Sequence, residues 1–189
     1  MRIQMRAWFV FLLLFLPLTG LLADEFKDTV NVFKKAGESG GFFKNSYGYA
    51  VFPSIGKGGI GLGGAHGKGR VFKRGKHVGD TAMTQLTIGF QLGGQVYSQI
   101  IFFEDKRAFN EFTSGNFEFG AQATAVAITA GAQAGASTAG GTSAGASGDK
   151  HDAKTVGEYT KGVAVFSVAK GGLMYEASIG GQKFSYTPK

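Results

Sequence analysis

Two hydrophobic periods divide the chain. Over residues 24–38 the apolar side chains recur at Phe26, Val30 and Phe33, the i, i+4, i+7 stripe of an amphipathic helix. Asp24, Glu25 and Asp28 occupy its first turns and Lys34 and Lys35 its last, an order that complements the helix dipole. Gly37 and Gly40–Gly41 are expected to end it. Such a stripe either docks on the body of the domain or lies on a bilayer.

Beyond Phe42 the period becomes two. Tyr47, Tyr49 and Val51 alternate with Gly48 and Ala50 up to Pro53, and Ile60 and Leu62 alternate with glycines in the run 56–64. Residues 85–92 place Leu86, Ile88, Phe90 and Leu92 on one face, predicting a half-buried strand with that face inward. Residues 96–103 read as a more fully buried strand. Glu104 to Ser114 predicts a helix with Phe109 and Phe112 on one side and Gly115 as its stop. Near the C-terminus, 162–168 and 173–179 flank Lys170-Gly171-Gly172, a hairpin-turn signal, and Phe184 and Tyr186 close the last strand.

Glycine inside a strand costs stability, so its abundance here requires tight bends or close backbone approach. The expected class is α+β and β-rich. It has a strongly curved antiparallel sheet, barrel-like or a sandwich, with an N-terminal amphipathic helix and one or two further helices. The tract 130–148 is nearly all Gly, Ala, Ser and Thr, too poor in apolar mass to offset ordering, and is expected to be a loop.

The first 23 residues fall outside that pattern. Arg2 and Arg6 precede an apolar stretch from Ala7 to Leu16, Pro17 and Gly20 break it, and Ala23 offers a cleavage site. The stretch is shorter than the ~20 residues of a spanning helix, so 1–23 is expected to be a secretory signal, with an uncleaved anchor as the alternative. Residues 24–189 then form one domain, exported to the periplasm or outside the cell. Without the signal, 18 basic residues face 13 acidic ones. That excess favours phosphate-bearing partners, and export disfavours nucleic acid among them.

Motifs for catalysis fail on context. Cysteine is absent, which removes disulfides, thiol chemistry and cysteine–zinc sites. Gly59 to Gly64 satisfies G-x-G-x-x-G, but the following residues open no helix, as a dinucleotide site requires. Gly67-Lys68 is followed by Gly69, so the magnesium-binding hydroxyl of a phosphate loop is missing. Gly141 to Gly145 matches G-x-S-x-G around Ser143, with His151 the nearest base, but inside a tract where such a match arises by composition. His66, His77 and His151 lack metal-ligand spacing. No catalytic residue, metal or cofactor is expected.

A run of one sign remains. Lys57, Lys68, Arg70, Lys73, Arg74 and Lys76 gather on or beside one hairpin, with no carboxylate before Asp80. Edge lysines that block strand pairing are the plain alternative to anion binding. Mixed charges would serve that purpose equally, so the single sign favours a site.

Four ordered motifs, Tyr49-Ala-Val-Phe-Pro53, the glycine run 58–64, Gly89-Phe-Gln-Leu-Gly-Gly-Gln95 and Gly172-Leu-Met-Tyr-Glu-Ala-Ser-Ile-Gly180, resemble the SYLF domain over nearly all of 33–186. The resemblance implies a non-enzymatic lipid-binding domain. Eukaryotic members bind phosphoinositides, partly through an N-terminal amphipathic helix and basic residues; fungal members also bundle actin; bacterial members are typically exported. Here the helix carries Lys27, Lys34 and Lys35 against four acids. Export also removes cytoplasmic actin as a partner.

The sequence therefore predicts an exported domain that meets anionic phospholipid at a membrane surface. Lys34, Lys35, Lys57, Lys68, Arg70, Lys73, Arg74 and Lys76 would contact headgroups, and Phe26, Val30 and Phe33 would insert. Two alternatives stay open: a small outer-membrane β-barrel, and an exported scaffold or envelope protein whose partner is another protein contacting the glycine-rich tract.

Overall fold

The computed structural model describes residues 19–37, 39–119, 126–127, 135–137, 141–143 and 159–189. Three long strands dominate it: β1 (Gly48–Lys73), β2 (Lys76–Phe103) and β7 (Val163–Pro188). They pair antiparallel in the order β1-β2-β7, and β3 (Phe117–Phe119) adds to the outer edge of β7. β4 (Val126–Ala127) pairs with β7 in parallel, and β5 (Gly135–Ser137) and β6 (Gly141–Ser143) form a separate ribbon. Among the described residues the sheet is curved and not closed by hydrogen bonds.

Glycines aligned across the strands locate the bend. Gly58 and Gly59 face Gly94 and Gly93, and Gly171 and Gly172 lie opposite Val96 and Gln95. A second line brings Gly63 and Gly64, by way of Thr87 and Leu86, to Gly180 and Gly181. All three strands turn there together. The double glycine at 171–172 is thus a bend within continuous β7 rather than the expected hairpin turn, because β7 stays paired to β2 on both sides of it. The actual turn that opens β7 uses Lys161 and Gly162, both at positive φ.

Folding at that line brings the far half of β1 back onto its own beginning. A side-chain carbon at Gly69 would lie 2.6 Å from the Phe52 ring and 2.8 Å from the Val51 carbonyl oxygen. One at Gly67 would lie 2.8 Å from the Ser54 carbonyl oxygen. Close approach therefore falls on Gly59, where a side-chain carbon would run into the backbone of Leu62 and Gly63, and on Gly67 and Gly69 downstream of the run 56–64, whereas Gly56 and Gly61 face open space.

Alternation then sorts the side chains into two cores. Ala50, Phe52, Ile55, Val71, Met83, Ile101, Phe103 and Phe184 point into the fold, where α3 (Lys106–Phe112) adds Phe109 and Phe112. Gln182 crosses this interior, donating from Nε2 to Gln85 and accepting from Gln99 Nε2, and so ties the two halves of β2. Val51, Ile100, Phe102, Ala164 and Phe166 form the outer face and pack against α1 (Thr19–Lys35) and α2 (Ser39–Asn45).

The helices follow their expected logic with shifted ends. α3 begins where the Asp105 carboxylate accepts the Ala108 amide at 2.8 Å and is followed by Gly115 at positive φ. α1 starts at Thr19, ahead of the expected Asp24, because Leu21-Leu22-Ala23 are good helix formers. It ends near Gly37, at positive φ, and the Ser39 hydroxyl lies within donating distance of the Phe33 and Ala36 carbonyls. Gly40 and Gly41, expected as terminators, instead lie in α2; Gly40 lets that helix approach the Lys34 carbonyl. Within the expected loop 130–148, β5 and β6 pair because small side chains permit it. The other residues of that tract, and His151, lie outside the described residues.

One expectation is inverted. Leu86, Ile88 and Leu92, expected to face inward, are 74%, 70% and 51% exposed, while Gln85 and Thr87 are buried. The phase of burial is set by the direction in which the sheet folds. Near the bend no helix of the described residues covers the outer face, whereas hydrogen-bonded polar side chains fill the inner one. Phe90 lies outside the residues whose side chains are described.

Candidate functional site

The β1–β2 hairpin ends in a two-residue turn, Arg74-Gly75, with both φ angles positive. That conformation matches the twist of the flanking strands and leaves Lys73 and Lys76 as a cross-strand pair. Because the sheet folds back, this tip returns to the helix-capped end of the molecule. Lys73 Nζ sits 5.1 Å from the Tyr47 ring centre and 5.8 Å from that of Phe109, and the Arg74 guanidinium 6.0 Å from Tyr47. Such contacts hold a cation on an aromatic face without neutralising it.

Tyr47 registers the local field. A hydrogen bond with Lys73 holds its phenol below the usual pKa, against some opposing desolvation; the charges of Lys73, Lys106 and Arg74 reinforce the lowering. Lys106 opens α3 and so joins the cluster from a different element. The sequence hid it, because Glu104 and Asp105 precede it and balance its charge locally. Asp105 is turned elsewhere: it caps α3 and lies 3.9 Å from Arg107, which also meets Glu111 at 2.9 Å.

The other cations spread from this cluster along the hairpin. Phe72, beside Lys73, stacks on Tyr49 at 5.0 Å; Tyr49 meets Phe43, and Lys34 lies over Phe43 at 5.5 Å. Lys34 and exposed Lys35 therefore belong to the same end as the tip. Arg70 lies 4.2 Å over the Phe26 ring of α1. Lys68 is exposed on the outer face, and Lys57 is half-buried beyond the bend, away from the cluster. Among the described residues, Lys34, Lys35, Lys68, Arg70, Lys73, Arg74 and Lys76 form no ion pair. The nearest acid along the hairpin, Asp80, is engaged by His77 at 3.0 Å.

Phe26, Val30 and Phe33 are docked. Phe33 is fully buried, and Phe26 and Val30 pack on the outer-face core. Glu25 adds a clasp at the start of the helix, accepting from Ser54 at 3.2 Å and lying 3.4 Å from Lys170 Nζ. Inserting these side chains into a bilayer would require α1 to lift away, and rehydrating Phe33 alone costs about 1.5–3 kcal/mol.

The strings that resemble catalytic motifs carry no such geometry. Gly59 to Gly64 lies inside β1, and Ser143 lies in the ribbon strand β6 rather than at a strand-to-helix elbow.

Comparison with known proteins agrees with a binding role. The Beta cell expansion factor A of Aeromonas veronii is 31% identical over 146 residues, covering 75% of this chain and 46% of that protein. The chain thus spans about half the length of the curated relative it matches. A family model described as Ysc84, Las17-binding protein actin regulator, matches residues 84–187. That range holds most of β2, all of α3 and nearly all of β7, while the cations from Lys34 to Lys76 precede it. Covering more than half of the sequence, the match establishes that the chain belongs to the Ysc84 (SYLF) family, a family of non-enzymatic binding domains.

Proposed function

We propose that this chain binds anionic, phosphate-bearing lipid at a membrane surface through the cationic end of its β1–β2 hairpin. One observation carries the proposal. Lys73, Arg74 and Lys106 converge on Tyr47 from two elements, Lys76 stands across from Lys73, and Lys34 and Lys35 lie at the same end. No carboxylate of the described residues pairs with the tip cations. Each cation at an anionic bilayer contributes ~1 kcal/mol, so Lys73, Arg74 and Lys76 together supply about a hundredfold in partitioning. Lys68 and Arg70 add to the same field along the hairpin, and Lys57 acts only if the bend approaches the bilayer.

Docked α1 serves as structure in this proposal: Phe26, Val30 and Phe33 hold the hairpin in place while the cations make the contact. The apolar segment at 7–16 supports an exported, peripheral location, where lipid headgroups are the abundant polyanion. Co-sedimentation of the full chain with vesicles of graded phosphatidylglycerol content tests the proposal. Binding should rise with anionic content and weaken with salt. Equal binding to pure phosphatidylcholine contradicts it.

A further inference from the structure

At the opposite end of the hairpin the outer face is apolar and bare. The paired rows Ile60–Leu92, Leu62–Ile88 and Gly64–Leu86 stack consecutively across β1 and β2, and Val96 lies just past the glycine line. Ile60 is 80% exposed and Leu62 69%. Scattered exposed leucines are ordinary on protein surfaces, but a contiguous aliphatic band on one sheet face marks an interaction surface.

Its surroundings identify the occupant. Continuing along the same exposed face toward the tip come His66 with Thr84, then Lys68 with Ala82. β1 from 54 to 73 contains no carboxylate, and β2 contributes only Asp80, engaged by His77. On β7, Glu176 stands at the register position opposite Gln91, and Lys183 pairs with Glu118. A second copy of the chain packed band to band would bring Lys68 toward its own equivalent across strands β1 and β2, whose one acid is Asp80. An anionic bilayer meets the same border with opposite charge.

We propose that Ile60, Leu62, Leu86, Ile88 and Leu92 enter the interfacial layer of an anionic bilayer, with Lys68 on the same face at headgroup level. The hairpin then lies along the membrane, basic tip and apolar bend both in contact, instead of standing on its tip. From Leu62 to Lys68 the face runs about 20 Å, well within one flat contact. This inference rests on the lipid-binding proposal for its partner and adds a second surface and an orientation.

The chain has no cysteine, so single labels can be placed in the full-length protein. Leu62→Cys and Ile88→Cys, each carrying an environment-sensitive fluorophore, are compared with Glu111→Cys, exposed on the side of α3 turned away from Lys106. The vesicles are phosphatidylcholine–phosphatidylglycerol mixtures containing brominated lipid. The labels at 62 and 88 should shift to the blue and be quenched, and the label at 111 should not. Leu62→Ser with Ile88→Ser should weaken partitioning about tenfold while leaving its salt dependence intact, because the band acts by burial and the tip by charge. Vesicle binding without quenching at 62 and 88 overturns the inserted band and leaves tip binding standing. No vesicle binding at all overturns both. A blue shift that appears with protein concentration in the absence of vesicles also overturns it, by assigning the band to a second copy.

Discussion

The two ends of the long hairpin obey different rules. At the helix-capped end both faces of the sheet are covered, the outer one by α1 and α2 and the inner one by α3 and the returning strand. Alternation there is apolar on both phases: Val51 and Phe102 on one side, Phe52 and Phe103 on the other. At the bend only the inner phase is covered, and the exposed phase is the more apolar one. Hydrophobicity therefore explains which residues are buried at the capped end and fails at the bend, where the direction of folding decides.

The largest contrast should come from side-chain deletion. Phe102 is fully buried among Phe42, Phe43, Tyr49 and Phe166, so Phe102→Ala should cost about 3–5 kcal/mol in denaturant unfolding. Ile88→Ala at the bend should fall within about 0.5 kcal/mol of wild type. Equal losses at the two sites would mean that the bend is covered after all.

Glycine replacement sharpens the same comparison at lower amplitude. Gly69→Ala drives a methyl into the Val51 carbonyl and the Phe52 ring and should destabilise by about 1–3 kcal/mol. Gly56 has open space and no positive φ, so Gly56→Ala should be neutral or stabilise by about 0.4–1 kcal/mol by restricting the unfolded chain.

Much of this fold was legible beforehand. The α+β class, the curved antiparallel sheet and both helices with apolar stripes follow from the change of period, because Phe26, Val30, Phe33, Phe109 and Phe112 have one compatible face each. Two things were not legible. The glycines at 171–172 carry a turn signal, yet only knowledge that β7 stays in register with β2 shows them to be a bend. Leu86 and Ile88 alternate with Gln85 and Thr87 in a pattern whose inward phase depends on contacts made by Gln182, nearly a hundred residues away. The cationic site was partly readable. Lys73, Arg74 and Lys76 lie together in sequence, whereas Tyr47 and Lys106 join them only through the fold.

The smallest effects lie in titration. Burial, reinforced by Glu104, pushes the Tyr159 phenol up to about 12. A folded pKa above the unfolded value of about 10 means a contribution present below pH 10 and lost as pH rises toward 12. Tyr159→Phe should remove that part of the alkaline slope. It should not lower the melting temperature at neutral pH, because the buried hydroxyl has no hydrogen-bond partner among the described residues. Tyr47 should titrate below an ordinary phenol in ultraviolet absorbance, and Lys73→Met should raise it by removing the hydrogen bond that leads the shift.

The account depends most on the cations at the tip acting together on a charged bilayer. The direct measurement is the salt dependence of partitioning onto phosphatidylglycerol-containing vesicles, for wild type and for Lys73→Glu/Arg74→Glu/Lys76→Glu. Wild type should bind at low salt and release steeply as salt rises, and the triple variant should bind weakly with a shallow dependence. Identical curves for the two proteins would contradict the account.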